Sequence, residues 1–258
     1  MSKSSPTSLN LESLSDEALL DLAQSLNVLD EKKRYNLQEF IYPRYLTVGY
    51  ERHLEFFKAG KTYRERALIA GNRTGKTYSA LTEMSFHLNG KYPKEWEGKR
   101  FSKPVRAWEV GKTHETTRDI LQKYLLGTRF DMGTGFIPKE DIERTTTKPG
   151  IPDAIQDVYI KHYTKGIFDG YSELSFKSYV QGVEAFMGTA QDVIHLDEEP
   201  IRQVYDECLI RTMTTKGILM CTFTPLLGLS EVVLSYLPGG RFPEGGIGKA
   251  LGQDNGKV

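Results

Sequence analysis

Two textures of apolar spacing divide the chain. Through residues 13–40, "SLSDEALLDLAQSLNVLDEKKRYNLQEF" places Leu14, Ala18, Leu22 and Leu26 at helical intervals, with Ser13 and Asp16 spaced as a capping box, so an N-terminal helical segment is expected. From about residue 65, short β-prone runs alternate with helical ones: "RALIAG" precedes "YSALTEMSFHL", where Ala80, Met84 and His87 or Leu88 share a face, and "VRAWEVG" precedes "HETTRDILQKYLLG". Strand then helix, repeated, predicts an α/β fold with a mainly parallel central sheet flanked by helices. The stretch "GTGFIPKEDIERTTTKPGIPDAIQDVYIKHY" carries Gly, Pro and charge and reads as loops with a short helix; the sheet resumes in "SELSFKSYV", "DVIHLDE" and "GILMCTFTP". The glycine-dense "LPGGRFPEGGIGKALGQDNGKV" has no core-forming pattern. The expected organisation is a helical segment or lid over 1–49, a core over 50–236, and a linker or cut edge over 237–258.

Chemistry enters at "AGNRTGKT". A phosphate-binding loop, G-x-x-x-x-G-K-[ST], wraps phosphates with the amides of a tight turn and a helix N-terminus, while its lysine reaches the β and γ oxygens and its hydroxyl binds Mg²⁺. Gly75, Lys76 and Thr77 supply the strict part, between a strand and a helix, but Ala70 stands where the first glycine belongs. That departure costs little if Ala70 keeps a negative φ and Gly71 takes up the left-handed conformation. A second Gly-Lys-Thr, Gly111 to Thr113, follows its strand with no intervening loop, so it is expected to be a strand-end loop and not a phosphate site. The deciding element is "DVIHLDEEP": a buried strand ending in Asp197, Glu198 and Glu199, where one acid can hold Mg²⁺ near Thr77 and the next can polarise a water. A third strand, "GILMCTFTPLLG", ends in Thr222 and Thr224, whose hydroxyls either approach the γ-phosphate or are simply β-branched strand residues.

Charge changes the picture little: Lys plus Arg and Asp plus Glu are 34 each, so a nucleic-acid partner would have to be held by local patches. Cys208 and Cys221 are too few for a disulfide framework, and the N-terminus lacks the apolar core of a secretory signal. No apolar run approaches the roughly 18 residues of a membrane span.

Taken together, "AGNRTGKT", "EWEGKRF", "IPKEDI", "LDEEP" and "TFTPLLGLSEVV" resemble the ATPase domain of the large terminase subunit of tailed phages, P22-like headful-packaging group, from about Tyr50 to Tyr236. The resemblance implies a P-loop NTPase of the additional-strand, RecA-like type, with the third-motif strand between those of the first two motifs. It implies ATP and Mg²⁺ as cofactors, ATP hydrolysis that moves double-stranded DNA into a procapsid, a portal protein and small terminase subunit as partners, a ring of copies on the procapsid or a monomer in isolation, and the host cytoplasm as location. By motif, the loop residues Gly71, Asn72, Arg73, Thr74, Gly75, Lys76 and Thr77 hold nucleotide, Thr77 and Asp197 the metal, Glu198 acts on water with Glu199 the weaker substitute, and Thr222 and Thr224 couple hydrolysis to movement. His53 stands where relatives often carry an adenine-recognising glutamine. Arg73 is a cation over the γ-phosphate or an exposed turn residue, and Arg211 is a second candidate. The nuclease domain of full-length relatives is expected to be absent, and with it DNA cleavage. The alternatives are a helicase-like P-loop ATPase and a nucleotide-binding assembly module without turnover.

Overall fold

The structure, a computed structural model, describes residues 15–24, 37–226 and 228–237. Two units separate, Met1–Tyr35 and Asn36–Val258. Of the first, a helix over 16–24 (α1) is described. Its N-terminus is capped by Ser15, whose hydroxyl accepts from the Ala18 amide at 3.3 Å, and Ala18 and Leu22, two of the four predicted stripe positions, are its less exposed residues. Ser13, Leu14, Leu26 and nearly all of the glycine-rich end lie outside the described residues.

In the second unit, seven strands form one sheet: β1 (Glu65–Ile69), β2 (Arg106–Gly111), β3 (Ile142–Thr147), β4 (Ile155–Thr164), β5 (Ile167–Ser178), β6 (Val193–Asp197) and β7 (Ile218–Phe223), in the order β1-β7-β6-β2-β5-β4-β3. The first five in that order are mutually parallel, and β5, β4 and β3 pair antiparallel. This is the mainly parallel α/β sheet expected from the alternation of strand and helix, and β7 lies between β1 and β6. Strands β6 and β7 are buried on both faces, which explains why "VIHLD" and "ILMCTF" read as continuous runs instead of alternating. One core, built from α2 (Leu37–Tyr45), α3 (Glu51–Ala59) and α4 (Lys76–Asn89), includes Tyr42, Phe57, Leu81, Met84 and Phe86. Another, with α5 (Arg202–Met213) and α6 (Glu231–Tyr236), includes Val204, Cys208, Val233 and Tyr236. Among the described residues no helix is long and apolar enough to cross a membrane.

The stretch expected to be loops is half sheet. Val158, Ile160 and His162 alternate into the core on β4, and β3 is a polar edge strand. Lys165 (φ 53°) and Gly166 (φ 80°) join β4 to β5 by a two-residue turn with both central residues left-handed, the geometry that matches strand twist. A lysine in place of asparagine or aspartate disguised that hairpin, and Pro149, Gly150 and Pro152 disguised the turn from β3. β5 also begins earlier than the predicted Ser172, and Tyr179–Gln181 leaves it as a 3-10 turn.

A buried ion pair fixes the two elements that carry the phosphate-loop motif. Arg66 on β1 meets Glu83 on α4 through two hydrogen bonds, Nη1 to Oε2 at 3.0 Å and Nη2 to Oε1 at 2.5 Å, with both side chains fully buried. His87 Nε2 lies 3.0 Å from the same carboxylate and its Nδ1 2.9 Å from the Tyr92 hydroxyl. Burial pulls the Glu83 carboxyl upward, but the Arg66 charge and the His87 contact outweigh it and leave Glu83 below the usual range. Strand and helix are thereby locked at one angle around the loop between them.

Candidate functional site

Residues 70–75 form a tight turn between β1 and α4. Ala70 keeps a negative φ, so the absent first glycine demands nothing of the backbone; however, the left-handed conformation is not at Gly71, where it was expected, but at Arg73 (φ 61°) and Gly75 (φ 81°). A non-glycine residue held there costs about 1–2 kcal/mol, so Arg73 stores strain that Gly75 does not. Gly75 is the N-cap of α4 without a side-chain cap, and the first amides of this 14-residue helix are left for an outside acceptor. Lys76 folds back over the turn, its Nζ donating to the Gly71 carbonyl at 2.7 Å and to the Thr224 hydroxyl at 3.0 Å. Desolvation lowers the Lys76 pKa, opposed by the charges of Glu198 and Asp197. The Thr74 hydroxyl donates to the same Gly71 carbonyl at 3.0 Å, and the Thr224 hydroxyl lies 2.9 Å from both the Ala70 carbonyl and Asn72 Oδ1. The end of β7 is therefore stitched to the loop through Thr224.

Asp197, at the end of β6, accepts at Oδ1 from Thr77 (2.6 Å) and from Thr222 (2.7 Å). A threonine hydroxyl beside a carboxylate is a hard-oxygen donor set of the kind Mg²⁺ prefers, so the residues present fit that ion. Glu198 follows with φ 66°, again a strained non-glycine residue; its amide donates to the Thr222 carbonyl at 2.9 Å. Partial desolvation and the adjacent Asp197 charge raise the Glu198 pKa, against the lowering pull of Lys76 and Lys112, which suits a proton acceptor better than an ordinary surface carboxylate does. Thus β1, β6 and β7, adjacent in the sheet, bring Lys76, Thr77, Asp197, Glu198, Thr222 and Thr224 to one edge, at the carboxyl ends of parallel strands, where open α/β sheets gather ligands.

Beneath this edge runs a polar chain absent from the sequence reading. Glu109 on β2 lies opposite His195 on β6 and contacts its Nδ1 through a very short hydrogen bond; His195 Nε2 lies 2.7 Å from the Thr222 hydroxyl. Thr222 has one hydrogen, given to Asp197, so its oxygen accepts from His195 Nε2–H, which fixes the imidazole's orientation. Glu109, His195 and Thr222 are all buried. Burial raises Glu109; burial alone would lower His195, but the Glu109 carboxyl overturns that and raises it, so the proton stays on the pair. The signal in the sequence is one titratable residue inside each of two otherwise apolar strands, "WEV" and "IHL". Replacing His195 by leucine is expected to destabilise the fold by on the order of 3 kcal/mol, because it strands the Glu109 carboxyl. Pairing it with Glu109→Leu is expected to recover most of that loss in urea unfolding midpoints; equal losses in the single and double variants would show that the pair is not the cause.

The remaining candidates separate. His53 on α3 donates from Nε2 to the Thr74 carbonyl at 2.9 Å and packs against Tyr45 and Tyr50, so it braces the loop; its Nδ1 is buried without a partner among the described residues. Arg73 is exposed and hydrogen-bonded to none of the described residues, free to turn towards a ligand. Arg211 is spoken for by Glu207 (2.8 Å) and the Gly188 carbonyl (2.8 Å), and its own carbonyl accepts from Gln191, before the start of β6. Six residues of extended chain from Gln191 to Asp197 put that end of β6 about 20 Å from the site, so Arg211 does not serve this chain's own site. Gly111 ends β2, and Thr113 caps the short helix His114–Thr116, so the second Gly-Lys-Thr forms no phosphate loop. Glu199 is half-buried beyond Glu198.

The profile of the family described as "Terminase large subunit, T4likevirus-type, N-terminal" matches residues 67–243. The chain is 37% identical over 243 residues to the protein named "Terminase, large subunit" of Salmonella phage P22, covering 88% of this chain and 48% of that one; it thus spans about half the length of this curated relative. Solved structures with a similar backbone include the large terminase ATPase domain of Thermus phage P74-26, in a point-mutant form (TM-score 0.49, 16% identity, 74% of this chain and 73% of that one). Another is the large terminase of a thermophilic bacteriophage in complex with ADP (TM-score 0.39, 13% identity, 62% of this chain and 33% of that one).

Proposed function

The chain belongs to the terminase large-subunit family, and from that premise we propose that it is a DNA-packaging motor's ATPase domain, which binds ATP with Mg²⁺, hydrolyses it and drives double-stranded DNA into a procapsid. The observation that carries this reading is Asp197 Oδ1 shared between Thr77 and Thr222, with Lys76 bonded to Thr224 alongside. A phosphate loop, an acidic strand end and a third strand are thereby wired into one polar network. Thr77 and Asp197 would hold the metal, and the bound ion would neutralise charge building on the phosphates.

This chain's own residues do the rest. Lys76 exchanges the Gly71 carbonyl and Thr224 hydroxyl for phosphate oxygens, and the Gly75 to Thr77 amides cradle the anion. Glu198 orients a water and takes its proton. Arg73, unpartnered among the described residues and exposed, supplies positive charge as the γ-phosphoryl group departs. His53 braces the loop through the Thr74 carbonyl and would meet the adenine of a bound nucleotide. When Lys76 lets go of Thr224, the end of β7 loses one of its ties to the loop, and Thr222 carries any shift of Asp197 into the same strand. Hydrolysis is in this way coupled to movement. A portal protein, a small subunit and further copies of the chain complete the proposed machine.

Phosphate release from the purified chain, with ATP and Mg²⁺ and with EDTA as control, tests the reading. Turnover that needs the metal is the expected result. Binding of a fluorescent ATP analogue without release would make the chain a nucleotide-binding module, and neither binding nor release would overturn the assignment altogether.

A further inference from the structure

We infer that Tyr179 is a positioning residue for Glu198, holding the backbone that aims its carboxylate; this rests on the ATPase reading above. Tyr179 leaves β5 at the start of a 3-10 turn, partly buried and packed against the apolar cluster that includes Trp108, Ile194 and Val204. Its hydroxyl reaches the two carbonyls that flank the Glu198 Cα, Asp197 O at 3.0 Å and Glu198 O at 3.0 Å. The Glu198 amide is meanwhile held by the Thr222 carbonyl at 2.9 Å. Both ends of a left-handed residue (φ 66°) are therefore pinned, one by β7 and one by a single phenolic hydroxyl.

That pinning has a consequence for the side chain. Glu198 makes no side-chain hydrogen bond to the described residues, so the direction of its carboxylate is set by its backbone, and a left-handed residue released to the ordinary region would carry its Cβ to another side. The Tyr179 seat is built by residues outside the phosphate loop, which lets Tyr179 act on the geometry of water attack without touching nucleotide.

Tyr179→Phe keeps the ring and removes the hydroxyl. In the full chain, kcat for phosphate release is expected to fall about tenfold while KM and the affinity for a fluorescent ADP analogue stay within about twofold, the signature of lost orientation rather than lost binding. In a Glu198→Gln background the same substitution is expected to add nothing. Amide hydrogen exchange at residues 197–199, measured without nucleotide, is expected to quicken in Tyr179→Phe. Unchanged kcat, an equal loss in the Glu198→Gln background, or unchanged exchange would each overturn the inference. Were the parent chain to show no turnover, the ATPase reading would fail, and the exchange measurement would still decide whether Tyr179 holds this backbone.

Discussion

Glu198→Gln is expected to lower kcat for ATP hydrolysis by about 10³-fold, within the range that a positioned general base contributes, while ATP affinity stays within a few-fold of the parent. The substitution is nearly isosteric, and glutamine tolerates φ 66° as well as glutamate does, so the Thr222 and Tyr179 bonds to the backbone survive. What disappears is the carboxylate whose pKa is raised by partial desolvation and by Asp197. Lys76 loses one of the two acidic charges that oppose its own desolvation, but its bonds to Gly71 and Thr224 remain. The variant should therefore trap ATP. Retention of radiolabelled ATP through a desalting column, set beside single-turnover phosphate release, reads both halves of the expectation. If Glu198→Gln turns over normally and Glu199→Gln does not, the base is Glu199.

Sequence reading reached the site where chemistry is local and fell short where contacts are long-range. Asp197, Thr222 and Thr224 stand at or just past strand ends, which announce themselves by a change from apolar to polar letters, and Lys76 and Thr77 open a helix behind a glycine, where motif spacing finds them. Their convergence follows from β1, β7 and β6 being neighbours. The hairpin of β4 and β5 was missed because Lys165-Gly166 is a weak turn signal beside glycines and prolines that invite a loop reading. Glu109 and His195 stand 86 positions apart and meet only through strand register. Tyr179 was lost to an assumed strand, since nothing local in "KSYVQG" says where a hydroxyl ends up. Helix period and motif spacing encode neighbours along the chain; register between distant strands does not appear until the sheet is assembled.

Lys76→Ala is expected to show the opposite phenotype to Glu198→Gln: nucleotide affinity lost by about 10- to 100-fold, from removal of a charged hydrogen-bond donor, and kcat/KM lost by about 10³-fold or more, because the charge on the phosphates grows in the transition state and the missing cation counts most there. The fold should not suffer. Lys76 is a partly desolvated cation with its pKa lowered by that burial, and it bonds to a carbonyl and a hydroxyl, with no carboxylate in direct contact. Thr224 keeps its own contacts with Ala70 and Asn72 when the lysine is gone, and Thr74 still donates to Gly71. Alanine is also a better helix former than lysine at the first position of α4. The melting temperature of Lys76→Ala should accordingly equal or exceed that of the parent, as when a residue is kept for function at a cost in stability. A variant that melted several degrees lower would mean that the lysine's ties to Gly71 and Thr224 are structural, and its loss of nucleotide would then report a collapsed loop instead of a missing charge.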